Sequence, residues 1–117
     1  MQPLPPRKIK ANPEALIQEA IIKKLRQHEW LVKATHGNMY QSGFPDLYCC
    51  HHRYGQRWVE VKNKEAYQFT PAQLEEFPRF TAAKAYIWIL VSDSNDEYNK
   101  LFGPPNWQFY LDIWKSR

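Results

Sequence analysis

Cysteine is scarce in this chain, and its placement excludes more than its number does. The 117 residues hold two, Cys49 and Cys50, side by side. Adjacent cysteines do not supply the spaced bridges of a small secreted scaffold, so a reducing, cytoplasmic setting is expected. The opening MQPLPPRKIK has charge but no apolar core of a signal peptide, and no run approaches the length of a membrane span. Internal repeats and low-complexity tracts are also missing. Neither sign of charge dominates: sixteen basic against twelve acidic residues leave +4, which suits a polyanionic partner without requiring one. What is present is apolar material, 44% hydrophobic and 15% aromatic, enough for a single core in a chain too short for two.

Residues 1–11 combine prolines and basic residues without apolar periodicity and read as a flexible N-terminal arm, leaving 12–117 as a single domain. Asn12 and Pro13 are an N-cap followed by proline at the first helical position, which predicts a helix to about His28 with Ile17, Ile21 and Leu25 as its buried stripe. WLVKAT (30–35), DLYCCHH (46–52) and RWVEVK (57–62) read as strands, the last two joined by a turn at 53–55. Thr70-Pro71 opens a second helix to about Ala82, and AYIWILV (85–91) has the continuous apolarity of a buried strand. Residues 92–106 read as a loop, and WQFYLDIW (107–114) as either a strand or a short helix. The expected order is αβββαβ, an α/β fold.

Two metal chemistries compete in GFPDLYCCHHRYGQRWVEVKNK. Zinc needs four ligands converging on one point. In an extended strand Cys49 and His51 face one way and Cys50 and His52 the other, so at most two share an ion, and the simpler reading makes the cysteines small apolar strand residues. No zinc is expected from this set. The carboxylates fare better. A turn at 53–55 pairs His52 with Gln56, Tyr48 with Glu60 and Asp46 with Lys62. That register puts Asp46, Glu60 and Lys62 on one face and Leu47, Val59 and Val61 on the other, toward the core. Hard oxygen donors on neighbouring strands suit Mg2+ or Mn2+, and Lys62 stands where a group is needed to assist water or offset phosphate charge.

GFPDL, then VEVK, then a helix opening FTPAQLEEF resemble the VRR-NUC (virus-type replication-repair nuclease) domain of the PD-(D/E)XK nucleases, over about Pro13 to Val91. The resemblance implies a restriction-endonuclease-like core, a mixed sheet flanked by helices. It also implies that Asp46, Glu60 and the main-chain carbonyl of Val61 hold a divalent metal and that Lys62 is the catalytic lysine. Gln73 matches the glutamine of the family's helix, but Thr70-x-x-Gln73 is equally a capping box, and both roles stay open. The family also places an acid on the first helix. At about 100° per residue Glu14 lines up with Ile21 and Leu25 while Glu19 points away, so Glu14 is the better candidate.

His36, Ser42 and Lys64 are candidate nucleic-acid contacts on loops, and Tyr40, Tyr67 and Phe69 are either base-stacking or packing residues. The expected function is structure-specific DNA endonuclease action, of the Holliday-junction resolvase type, by a homodimer acting on branched DNA in repair or recombination. Flap cleavage is the nearest rival, and a non-cleaving nucleic-acid-binding protein on the same fold is the alternative of another class. The resemblance also suggests a phage or prophage origin.

Overall fold

A computed structural model of the chain describes residues 12–35 and 42–117. The 1–11 arm, His36 and Tyr40 lie outside them. The elements run α1 (Pro13–Gln27), β1 (Leu31–Ala34), β2 (Leu47–His51), β3 (Gly55–Val61), α2 (Pro71–Ala82), β4 (Ile87–Leu90), α3 (Asn95–Asn99), a 3-10 turn (Lys100–Phe102) and α4 (Trp107–Lys115). The sheet order is β1-β2-β3-β4, antiparallel except for the parallel pair β3–β4.

Local chemistry accounts for the helix starts. The Asn12 side chain accepts from the Glu14 N–H at 3.0 Å, with Pro13 in the first turn. Thr70 and Gln73 form a reciprocal capping box at the start of α2. The 92–106 segment, expected as a loop, instead contains α3 and the 3-10 turn. Its signal is Ser94-x-x-Glu97: the Ser94 hydroxyl accepts from the Glu97 N–H at 3.1 Å, and Asp96 and Glu97 sit in the first turn, where acids favour the positive helix end. The ambiguous C-terminal run is the helix α4. Before it, Asn106 accepts from the Ile89 N–H and donates to the Ile89 carbonyl, at 2.6 and 3.1 Å. One side chain thereby satisfies main-chain groups on the edge strand β4.

The register differs from expectation. Leu47 pairs with Val59 and His51 with Gly55, two residues away from the predicted Tyr48–Glu60 pairing. The turn is His52–Tyr54, and Gly55, at φ +83°, already belongs to β3. An even slip preserves the faces, so Leu47, Cys49, Val59 and Val61 pack with Ile21 and Leu25 of α1. Continued one step past Leu47, the ladder brings Asp46 opposite Glu60 instead of Lys62.

The opposite face is covered as well. Phe77 of α2 and Trp107 and Leu111 of α4 pack there with Ile87 and Ile89, and Glu60 and Lys62 are 2% and 3% exposed and do not lie on a solvated face. Tyr67 and Phe69 are buried in the same cluster, which makes them packing residues. His52 also departs from strand alternation: it begins the turn, and its ring stacks on His51 with centroids 4.4 Å apart.

Candidate active site

The GFPD segment puts Asp46 in place through four different contacts. Gly43 has φ +83°, and a Cβ on it would stand 2.6 Å from the Ala72 carbonyl oxygen of α2, so only glycine permits this close approach. Phe44 meets Phe80 and Trp58 edge-on at 5.2 and 6.3 Å. Pro45 is fully buried. Thr35 ties the segment to β1, its N–H donating to the Asp46 carbonyl at 2.8 Å and its hydroxyl to the Pro45 carbonyl at 2.7 Å. Gly43→Ala is expected to lower unfolding stability by about 2–4 kcal/mol, from strain plus backbone collision. Gly55→Ala, with the same φ but open space around it, should cost about 1 kcal/mol. Denaturant midpoints test this pair, and equal losses would show that contact with Ala72 is not what fixes Gly43.

Asp46 and Glu60 hold each other's backbones. The Asp46 N–H donates to Glu60 Oε1 at 3.2 Å, and Asp46 Oδ2 accepts from the Val61 N–H at 2.8 Å. Glu60 Oε2 accepts from Gln73 Nε2 at 2.8 Å and lies 3.1 Å from Lys62 Nζ. The Lys62 ammonium also donates to Gln73 Oε1 at 2.9 Å and to the Gln68 carbonyl at 2.6 Å. Its three protons therefore have three acceptors, and the Phe69 ring backs it at 4.8 Å. Gln73 makes contacts in two directions. It caps α2 through Thr70, and it bridges the carboxylate and the lysine. The residues surround a cleft of about 490 Å3 that also takes in Asn12, Glu14 and Gln18 from the start of α1.

Burial pushes the acids of this cleft up. Glu60 rises to about 8, from desolvation first and the neighbouring Asp46 charge second. Asp46 and Glu14 are raised as well, each mainly by desolvation, with Lys62 opposing the shift. A site whose carboxyls resist ionisation side by side is one that a cation relieves. Asp46 and Glu60 offer only oxygen, so the donor set fits a hard divalent ion such as Mg2+ or Mn2+.

The same shift fixes a pH dependence. Glu60 titrates above its ordinary 4.5, so its stabilising contribution is complete below about pH 4.5 and is lost as the pH rises through about 8. Metal-free protein should therefore lose on the order of a few kcal/mol between these limits. Mg2+ or Mn2+ should raise the melting midpoint far more at about pH 8 than at about pH 5.5, where protons compete for the carboxylates. Melting curves with and without the ion check this; a pH-independent ion effect would separate Glu60 from ion binding.

Glu14 is half-buried and faces the cleft, whereas Glu19 is exposed on the outer side of α1 beside Leu16 and Lys23. Ser42 is exposed in the turn before Gly43, and Lys64 is exposed in the turn after β3. The contact that sequence reading missed is the Gln68 carbonyl. It has no signature, because every residue carries that group. Cys49 lies in the core with its thiol pushed up to about 12 by burial.

No family model matches the chain, and no curated protein does. Among solved structures it is similar to a "VRR_NUC domain", at 25% sequence identity and a TM-score of 0.61, covering 80% of this chain and 98% of that one. The expected fold is borne out: a four-stranded mixed sheet flanked by helices, of the VRR-NUC and PD-(D/E)XK kind.

Proposed function

We propose that this chain is a divalent-metal-dependent nuclease that hydrolyses phosphodiester bonds in DNA, preferentially in branched DNA of the four-way-junction type. The observation that carries the reading is the buried network joining Asp46, Glu60, Lys62 and Gln73 at the mouth of a polar cleft. Similarity to a solved VRR_NUC domain supports it.

In this reading Asp46, Glu60 and the main-chain carbonyl of Val61 would hold Mg2+ or Mn2+. A bound ion of this class supplies Lewis-acid polarisation of the phosphate and acidifies water. The protein's own groups do the rest. The N–H groups of Asp46 and Val61 fix the two carboxylates relative to each other, so no reorganisation is needed as the substrate arrives. Gln73 holds Lys62 beside Glu60. With Glu60 engaged as a ligand, Lys62 would keep Gln73 and the Gln68 carbonyl as acceptors and would have one ammonium proton for charge developing on the phosphate. Glu14, raised by burial, is suited to hold or pass a proton at the rim of the cleft. Both α1 and α2 begin at the cleft, so their N-terminal ends favour an anionic substrate there. Ser42 and Lys64 are the loop contacts to flanking DNA in this reading.

Two cuts across a junction require two such sites, so a homodimer is the assembly the reading calls for. The test is cleavage of labelled four-way junction, 5′ and 3′ flap and linear duplex DNA with Mg2+ or Mn2+. Symmetric paired cuts in the junction are the expected result. Preferential cutting of flaps would move the assignment to flap cleavage, and binding without cutting under either ion would leave a nucleic-acid-binding protein on a nuclease fold.

A further inference from the structure

The imidazoles at the far end of β2 have no part in the chemistry above. His51 lies five residues along the strand from Asp46, about 16 Å by strand rise. We propose that Glu29, His51 and His52 form a second metal site, for a divalent transition ion of zinc's class, separate from the oxygen-lined cleft. One ligand atom from each of the three lies within 4.8 Å of the others. Donors on one tetrahedral zinc stand about 3.3 Å apart, so the exposed Glu29 and His52 side chains would rotate inward, His52 leaving its stack on His51, to close the set.

The fold builds this meeting from two ends. After α1 the chain turns with Glu29 at φ +69°, a left-handed position where glycine or asparagine is usual. The turn is locked by the Glu29 N–H to the Arg26 carbonyl and the Trp30 N–H to the Leu25 carbonyl, both at 3.1 Å. From the other end, β2 stops at His51 and the turn carries His52 round to stack on it. The His51 ring is held twice: Nε2 lies 3.1 Å from the His28 carbonyl, and Nδ1 accepts from the Arg53 N–H at 3.0 Å. An ion would take Nδ1 in exchange for the Arg53 hydrogen bond, and Nε2–H, donating to the His28 carbonyl, would keep the ring aimed, as second contacts of metal-bound histidines do.

Two imidazole nitrogens and one carboxylate oxygen, with solvent access for a water, are the donors of open zinc sites and too soft a set for magnesium. The site uses neither cysteine. It also bypasses the strand alternation that would separate His51 from His52, because His52 lies in the turn after β2, and its third donor comes from the turn after α1. A bound ion ties the end of α1 to the β2–β3 turn.

Tag-free protein dialysed against micromolar zinc in the presence of millimolar magnesium provides the test, with bound metal and melting midpoint both read. The expected result is one zinc per chain in wild type and in Asp46→Asn, with binding at least about tenfold weaker in His52→Ala and in Glu29→Gly. Glu29→Gly adds a second readout: without zinc it should melt above wild type, since glycine relieves the left-handed strain, yet it should lose the zinc-induced rise. Zinc binding unchanged in His52→Ala or Glu29→Gly, lost in Asp46→Asn, or absent from wild type overturns the proposal.

Discussion

Glu60→Gln is expected to reduce DNA cleavage by about a thousandfold or more and, in the same protein, to remove most of the alkaline instability of the metal-free state. Both effects follow from one buried carboxyl. Glu60 is 2% exposed, accepts from Asp46, Gln73 and Lys62, and is pushed up to about 8. Replacing it by an amide removes an anionic ligand from a set that has few, so ion affinity and rate fall together. It also deletes the titration that makes the folded state less favourable as the pH rises. Activity loss alone would fit any damaged site. Paired with a flattened pH–stability profile, it identifies Glu60 as a strained anion awaiting a cation. Cleavage rates and melting midpoints at about pH 5.5 and pH 8.5 read both halves. A variant that is inactive but as pH-sensitive as wild type would place the titration elsewhere.

Lys62→Met should slow cleavage by about 100- to 1000-fold at saturating ion while leaving ion affinity equal or tighter. The ammonium is 3% exposed, and methionine matches its apolar stem beside the Phe69 ring. Loss of a positive charge next to Glu60 favours a divalent cation there. The substitution strips a donor from Gln73 and from the Gln68 carbonyl, so some stability is lost too, about 1–3 kcal/mol for a buried acceptor left unmet. The opposite signs for rate and ion affinity distinguish a lysine that serves the reaction from one that only neutralises buried acids. Single-turnover rates with an ion titration measure both. Unchanged rates would assign Lys62 to charge balance alone.

The parts of this site that were legible in the sequence are those with a fixed local geometry. Strand alternation placed Asp46, Glu60 and Lys62 together even though the register was two residues off, because an even slip leaves the faces alone. The turn was harder to place. Gly55 reads equally well as the last turn residue or the first strand residue, and only its pairing with His51 decides. Helix caps at Asn12 and Thr70 were readable from their side chains, and Ser94-x-x-Glu97 was equally readable but was masked by the polar run around it. Burial of Glu60 and Lys62 was not legible. It depends on Gln68, Phe69 and Gln73 folding back over the end of β3, which strand alternation does not report. Gln73 resisted assignment for a different reason: one amide has enough donors and acceptors to cap a helix and bridge a charge pair together.

The most direct measurement is single-turnover cleavage of a four-way junction by wild type and Asp46→Asn, each with Mg2+ and with chelator, alongside binding of the same DNA. Wild type should cut only when the ion is present, and Asp46→Asn should bind without cutting. Cutting that persists in chelator, or in Asp46→Asn at the wild-type rate, would contradict the claim that Asp46 and Glu60 hold the ion on which phosphodiester hydrolysis depends.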